Sequence, residues 1–401
     1  MNLKKINYQK FFSDGNSILI IFFVAMSTII LSNYIYAYEE ELSLQDASAY
    51  IAIANDPRNY FVFPQQESMR FFPSLLVFIL KIFGVPVAFG FKYLTYVMFI
   101  FLNLKVFFLL KEFQLKNFFV LPSVAILIYA NHSVIYTVFN YYQLIDLFTY
   151  IFILYFIQLN KNVNFIKLLF VSLLSILTKE YLLALVLLTY LNTFKKNRFH
   201  NLKIHLLLIL IIFFSNYFFA ASASDIKDTR NLYSLILSCL KLFYTFYDSI
   251  INCLFVNKNI FLFLPFGILF FSKNFLGFLV KNYPLILFSI IPISFALFLF
   301  NIVGNNFFRV FYHGYFIIIF YGLLFLSNII NKNKIHIFLF FISPLFFLID
   351  FAYILSNINQ SGFFNYFQYE RYEFYSGFYF FNFIIILVFL LNFKKIFYDK
   401  K

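Results

Sequence analysis

Two short motifs near the N-terminus place charged side chains at spacings that could do chemistry. The first is Asp46-Ala-Ser-Ala-Tyr50, whose carboxylate and phenol would share one face of a helix, one turn apart. The second is Arg70-Phe-Phe-Pro73, which opens a short apolar run. A carboxylate can serve as a general base, and an arginine can bind phosphate oxygens. Simpler interpretations are that Asp46 only caps a surface helix and that Arg70 only anchors an interfacial one.

Three further motifs lie later in the chain. Asp146 follows NYYQLI and precedes a long apolar run, so it would stand at the mouth of a helix or merely cap it. Lys179 and Glu180 are adjacent between two short apolar runs, where they could form a salt bridge with each other. Arg309 and His313 lie one helical turn apart in NNFFRVFYHGYF, where Arg309 could simply snorkel towards the interface.

The elements that must position these side chains are apolar helices. Hydrophobic residues make up 63% of the 401 residues and charged residues 12%, whereas a soluble domain has about half and about a quarter. Only helices and closed barrels satisfy their backbone hydrogen bonds in lipid. We therefore predict an all-α polytopic integral membrane protein with one membrane domain.

The distribution of basic residues argues against a nucleic-acid surface, and the spacing of cysteines and histidines argues against a metal site. The formal net charge is +14, but the basic residues form short clusters between apolar runs, which is typical of the positive-inside rule and not of a nucleic-acid surface. Cys239 and Cys253 lack metal-ligand spacing, and the five histidines are scattered. We expect no nucleic-acid partner and assign no metal site from these residues.

The apolar runs predict about twelve membrane-spanning helices. Their approximate ranges are 17–37, 86–110, 118–138, 142–159, 166–178, 181–193, 204–221, 260–272, 283–302, 310–330, 336–355 and 378–395. Segments 71–83 and 231–256 are predicted to be helices that lie at the outer surface or dip into it without crossing the membrane. The short runs 166–178 and 181–193 are expected to form a broken pair that meets at the outer face.

Charge also predicts the orientation. Lys4, Lys5 and Lys10 precede the first span, which places the N-terminus in the cytoplasm, and an even number of crossings returns the C-terminus there. Nearly all acidic residues then lie outside, many of them in the large loop 38–69. The expected location is the inner (plasma) membrane of a bacterium, with the chemistry on the periplasmic or extracellular side.

These motifs resemble those of the GT-C superfamily of membrane glycosyltransferases in their order along the chain and in their predicted location on one side of the membrane. The resemblance is strongest to the bacterial relatives of protein mannosyltransferases and aminoarabinose transferases. The positions that match the family pattern are Asp46, Tyr50, Arg70, Pro73, Asp146, Lys179, Glu180 and Arg309. The resemblance implies a GT-C-like catalytic module at 1–203 and a variable transmembrane region of the same domain at 204–401. One departure is Asp46-Ala47, where mannosyltransferase-like members have an Asp-Glu pair.

The resemblance implies transfer of a sugar from a polyprenyl-phosphate donor to a glycan, lipid or protein acceptor, in one inverting displacement on the outer side of the membrane. Asp46 is expected to be the catalytic base. Lys179, Arg309 and Arg70 are expected to bind the phosphate as negative charge develops on it.

The remaining roles implied by the resemblance stay open. Asp146 and Glu180 would orient the acceptor or bind a divalent cation such as Mg or Mn, which prefers oxygen ligands. Asp146 could instead pair with Lys179. Tyr50 and His313 are expected to support the site.

Three other functions fit parts of the pattern. A polymerase or ligase of lipid-linked polysaccharide acts on the same side, but typically carries its large, basic outer loops later in the chain. A transporter or flippase often shows repeated halves and helices broken near the bilayer midplane, and no repeat is visible here. A structural membrane protein would tolerate alanine at Asp46, Lys179 and Arg309 together.

Overall fold

A computed structural model describes residues 14–35, 47–61, 70–115, 117–129, 131–139, 141–196, 201–223, 266–280, 285–293, 307–330, 339 and 376–397. Across these residues the regular structure is helical and contains no strand. The prediction of an all-α chain is therefore confirmed for this part of the sequence.

The helices are numbered here in chain order. They are α1 (Asp14–Ile35), α2 (Ala47–Asn55), α3 (Phe71–Ile82), α4 (Val87–Glu112), α5 (Asn117–Ile128), α6 (His132–Phe139), α7 (Leu144–Lys161), α8 (Phe165–Ile176), α9 (Leu182–Lys196), α10 (Asn201–Ala223), α11 (Lys273–Val280), α12 (Leu285–Ile293), α13 (Phe307–Ile330), α14 (Ser376–Leu391) and α15 (Phe393–Phe397). Short 3-10 helices cover Pro57–Phe61, Tyr141–Gln143 and Ile268–Phe271.

Four stretches are long and apolar enough to cross a membrane: Asp14–Asn33, Val87–Glu112, Tyr141–Lys161 and Phe311–Ile329. Two bent helix pairs raise this number to six if each pair is one span. These helices support a membrane protein, but the twelve predicted crossings are not confirmed. The predicted interfacial segment 231–256, and the predicted span 336–355 apart from Leu339, lie outside the described residues.

The predicted span 118–138 is not one straight helix in the structure. The chain instead forms α5 and α6, which are bent by 70° at the break between them. Asn131 gives the physical reason, because its Oδ1 accepts hydrogen bonds from the backbone N–H groups of Ser133 (3.1 Å) and Val134 (3.4 Å). A side-chain oxygen in that position starts a new helix.

The segment after the predicted span 260–272 also contains a helix. Residues 273–282 separate the predicted spans 260–272 and 283–302, and within them Lys273–Val280 forms a helix that is bent by 108° relative to α12. Ser272 precedes this helix, and its hydroxyl oxygen accepts a hydrogen bond from the Phe275 N–H at 3.3 Å. This serine cap explains why a helix begins there.

The helix α7 is the centre of the described bundle. All but a few of its side chains are buried, and it packs against α4, α6, α8, α9 and α13. By contrast, α1 and α4 present large apolar side chains such as Phe23, Ile30 and Val97 on their outer surfaces. In a bilayer such surfaces would face lipid.

The charged groups gather at the two ends of this bundle. Asp146 lies in the first turn of α7 and Lys161 in its last, about 22 Å apart at the helical rise per residue. Arg70, Lys179 and Glu180 lie at the Asp146 end, whereas Lys111 and Lys167 lie at the Lys161 end. Of these described residues, the ones predicted outside and the ones predicted inside therefore lie at opposite ends of the bundle.

Candidate functional site

Arg70 stands at the N-terminal boundary of α3 and ties this helix to the turn between α8 and α9. The backbone N–H of Phe72 donates to the carbonyl of Leu177 at 3.1 Å. The guanidinium forms a two-pronged pair with Glu180, in which Nε donates to Oε2 at 2.9 Å and Nη2 donates to Oε1. Such fork-shaped pairs fix both direction and distance. The expected short helix 71–83 is confirmed, and its first turn is held by the predicted broken pair.

The turn at residues 177–181 connects α8 and α9, which are the two short helices predicted at 166–178 and 181–193. Its Lys179 side chain donates a hydrogen bond from Nζ to Asp146 Oδ1 at 2.6 Å. Only 7% of the Lys179 side chain and 2% of the Asp146 side chain are exposed. Lys179 and Glu180 thus bind different partners instead of each other, so the simple salt bridge considered for the two neighbours is not what forms.

His313 reaches the same carboxylate from α13. Its Nε2 lies 3.7 Å from Asp146 Oδ1, and its Nδ1 lies 2.5 Å from the Tyr181 hydroxyl. The Tyr150 ring packs against the imidazole with 4.7 Å between centroids, and its hydroxyl donates to Asn131 Oδ1 at 3.3 Å. The imidazole is fully buried, so α13 supplies an interior wall of the site.

Tyr50 connects the first loop to this network. It lies on α2, is 2% exposed and interacts electrostatically with the Arg70 side chain. The helix α2 packs against α3, which brings the two N-terminal motifs together. Asp46 directly precedes α2 in the sequence but lies outside the described residues.

The ion pairs decide the protonation states in the turn region. Burial acts to raise the pKa of Glu180, but the charge and hydrogen bonds of Arg70 outweigh it and leave that pKa below its usual value. Burial acts to lower the pKa of Arg70, yet Glu180 holds it well above the usual value. Burial, and then the negative charge of Asp146, raise the pKa of the Tyr181 hydroxyl, which therefore stays neutral at pH 7.

The structure brings six of the predicted site residues into one region. They are Tyr50, Arg70, Asp146, Lys179, Glu180 and His313. Arg309 lies on α13 one turn before His313, but its side chain, like Asp46, is outside the described part.

Three other residues of the network were missed by the sequence analysis. Tyr150 follows Asp146 by one helical turn, a spacing that could have indicated it. Asn131 stands before His132 and Ser133 in a helix-start pattern, and Tyr181 directly follows the Lys-Glu pair.

The charged side chains of the described site pair with one another. No group of three or more His, Cys, Asp or Glu side chains that could hold a metal occurs within the described ranges. Of the alternatives considered for Asp146, pairing with Lys179 is the one seen. Glu180 is the most accessible member of the two ion pairs, with 30% of its side chain exposed.

Helices of membrane-spanning length, built around a buried ionisable network, define the class as an α-helical membrane protein. No protein family model matches the chain, and neither a curated protein nor a solved structure matches it. The resemblance to GT-C enzymes therefore rests on the motif residues alone.

Proposed function

We propose that the protein is a membrane glycosyltransferase of the GT-C type, which moves a sugar from a polyprenyl-phosphate donor to a glycan, lipid or protein acceptor. The observation that carries the proposal is that five separate segments contribute side chains to one network at the Asp146 end: α2, the start of α3, the start of α7, the 177–181 turn, and α13. Ionisable groups in a membrane protein are costly, and their clustering at one end favours a function there.

The proposed reaction is a single displacement with Asp46 as the base. The carboxylate takes the proton of the acceptor hydroxyl, whose oxygen then forms a bond to the anomeric carbon. The bond from that carbon to the phosphate oxygen breaks, and the lipid phosphate leaves with the electron pair. Inversion follows because the acceptor attacks the face opposite the leaving group.

The cations of the site would stabilise the leaving phosphate. Arg70 is 10% exposed and is paired with the more accessible Glu180, so a donor phosphate could take the place of that carboxylate on the guanidinium. Lys179 is buried against Asp146 and would act by positive charge and by holding the turn in place. Arg309 is proposed as a further cation because it shares α13 with His313.

The Asp146 end is proposed to face the periplasm or the cell exterior. The reason is the excess of lysine at the opposite end, where Lys111, Lys161 and Lys167 lie, since cytoplasmic loops carry such an excess. A donor carried by a membrane lipid would reach this end along the apolar outer surface of the bundle.

The test is a transfer assay on the Asp46→Asn variant. The full-length protein is reconstituted in liposomes with a panel of radiolabelled polyprenyl-phosphate hexoses, and label in acceptor glycans is counted. We expect the wild-type protein to transfer the sugar and the variant to transfer it about 100-fold more slowly or worse, because a general base contributes a rate factor of about that size. Accumulation in the membrane should stay normal.

The matched control is Asp56→Asn, which removes a carboxylate just beyond the C-terminal end of α2, where it pairs with the exposed Arg58. This control should keep full activity. Full transfer by Asp46→Asn would overturn the assignment of the base. Movement of labelled lipid across the bilayer without a new glycosidic bond would identify a flippase, and lengthening of lipid-linked glycans would identify a polymerase or ligase.

A further inference from the structure

Two lysines converge on one neutral oxygen at the Lys161 end, far from the site described above. Lys105 of α4 and Lys167 of α8 both donate from Nζ to Gln158 Oε1, at 2.6 Å and 3.0 Å. The two ammonium groups can be no further apart than the sum of these distances. They therefore repel each other across a single uncharged acceptor.

The ring of Tyr155 is the second group that both lysines share. Lys105 Nζ lies 4.1 Å and Lys167 Nζ lies 4.8 Å from the ring centroid, within the range of a cation–π contact. Tyr155 and Gln158 both lie on α7, so three helices (α4, α7 and α8) enclose the pair. The arrangement holds two positive charges in one place on the bundle.

The carboxylate of Glu112 attracts Lys105 electrostatically, but one negative charge cannot offset the two positive charges of Lys105 and Lys167. Glu112 accepts hydrogen bonds at its carboxylate from Gln158 Nε2 (2.6 Å) and from Asn162 Nδ2 (3.0 Å). Among the residues that the structure describes, no carboxylate lies within 4 Å of the Lys105 or Lys167 ammonium. Positive charge is therefore in excess here, and the N-terminus of the twelve-residue helix α8 adds to it.

The surface beside the lysines is apolar and exposed. On α4, Phe101 and Phe108 flank Lys105 at helical spacing, and both are exposed. On α8, Ile166 and Phe170 are 82% and 65% exposed next to Lys167. A ligand that combines an anion with hydrocarbon chains would match both parts of this surface.

We propose that Lys105, Lys167 and Tyr155 form a binding site for the phosphate of an anionic phospholipid whose acyl chains lie on α4 and α8. The phosphate oxygens accept charge-assisted hydrogen bonds that replace the weaker bonds to the Gln158 amide, and their charge relieves the repulsion between the ammonium groups. Basic pockets between membrane helices bind lipid head groups in this way. The site is independent of the proposed sugar chemistry at the other end.

The test measures lipid binding to the full-length protein in detergent micelles by native mass spectrometry. Phosphatidylglycerol should bind about tenfold more tightly than phosphatidylcholine, and the Lys105→Gln/Lys167→Gln variant should lose this preference. The single variant Lys167→Gln, a milder change, should lose part of it and guards against a folding defect. The matched control is Lys203→Gln, which removes an exposed lysine from the start of α10 and should keep the preference.

Two results would overturn the proposal. One is equal preference for phosphatidylglycerol in the wild type and the double variant. The other is competition by millimolar inorganic phosphate that removes all phosphatidylglycerol binding, which would identify a site for free anions. Because the readout is binding and not transfer, failure here leaves the glycosyltransferase proposal untouched, and the reverse also holds.

Discussion

Removing one partner of the buried Lys179–Asp146 pair should destabilise the protein far more than removing both. The variants are Lys179→Met, Asp146→Asn and their combination. Each single change leaves a charged or polar group buried without its ionic partner, since the two side chains are only 7% and 2% exposed. Breaking such a pair costs about 3–5 kcal/mol, whereas replacing both partners by apolar residues of similar volume is often close to neutral, and the buried amide of Asp146→Asn adds a smaller cost.

The measurement is a double-mutant cycle on the free energy of unfolding, obtained from denaturant titrations in mixed micelles. If the two sites were independent, the double variant would lose about 6–10 kcal/mol, the sum of the single losses. We expect a loss of about 1–3 kcal/mol instead, so the coupling energy should be several kcal/mol. The double variant should nevertheless have lost glycosyl transfer, which would separate the role in function from the role in stability.

The control pair is Lys111 and Asp14, which lies at the opposite end with the Lys111 side chain 27% and the Asp14 side chain 58% exposed. An exposed pair of this kind contributes about 0–1 kcal/mol, so its cycle should show little coupling. Additive losses at Lys179 and Asp146, or equal coupling in the two cycles, would refute the view that the buried pair is a coupled unit.

Two further predictions concern the α12–α13 contact and the turn. Gly314→Ala should lower the free energy of unfolding in micelles by about 1–3 kcal/mol, because the new Cβ would lie 2.4 Å from the Ser289 carbonyl oxygen. The control Gly277→Ala should leave it unchanged, because nothing lies within 4 Å of the new Cβ there. The lowered pKa of Glu180 means that its pair with Arg70 stabilises the fold above pH 4.5 and is lost as the pH falls through that pKa. Glu180→Gln should abolish this component of the acid unfolding curve, and an unchanged curve would contradict it.

Local features of the fold could be predicted where a strong local signal exists. The short helix beginning at Phe71 and the broken pair on either side of Lys179 follow from the lengths of their apolar runs and from the charged residues between them. The break at Asn131 was missed because one asparagine in a long apolar run barely changes its mean hydropathy. Its effect depends on cap geometry, which averaging over a window removes.

The pairing within the site could not be predicted, although most of its residues could. Adjacent Lys179 and Glu180 suggested a mutual salt bridge, but their side chains diverge from the turn towards partners 33 and 110 residues away in the sequence. Those partners, Asp146 and Arg70, are selected by how α7 and α3 pack around the turn. No spacing rule within one segment contains that information.

The contact between His313 and Asp146 also changes how the two halves of the chain relate. The resemblance placed the catalytic module at 1–203, yet α13 packs against α5, α6 and α7 and buries its imidazole between Tyr150 and Tyr181. Residues from both sides of position 203 therefore meet in one region, as expected for two parts of the same domain. His313 contacts both the buried carboxylate of Asp146 and the hydroxyl of Tyr181, so a substitution of His313 would expose the carboxylate and remove the partner of the Tyr181 hydroxyl. The second half of the chain, although it matches the family pattern only loosely, is thus part of the wall that holds Asp146 and the turn in place.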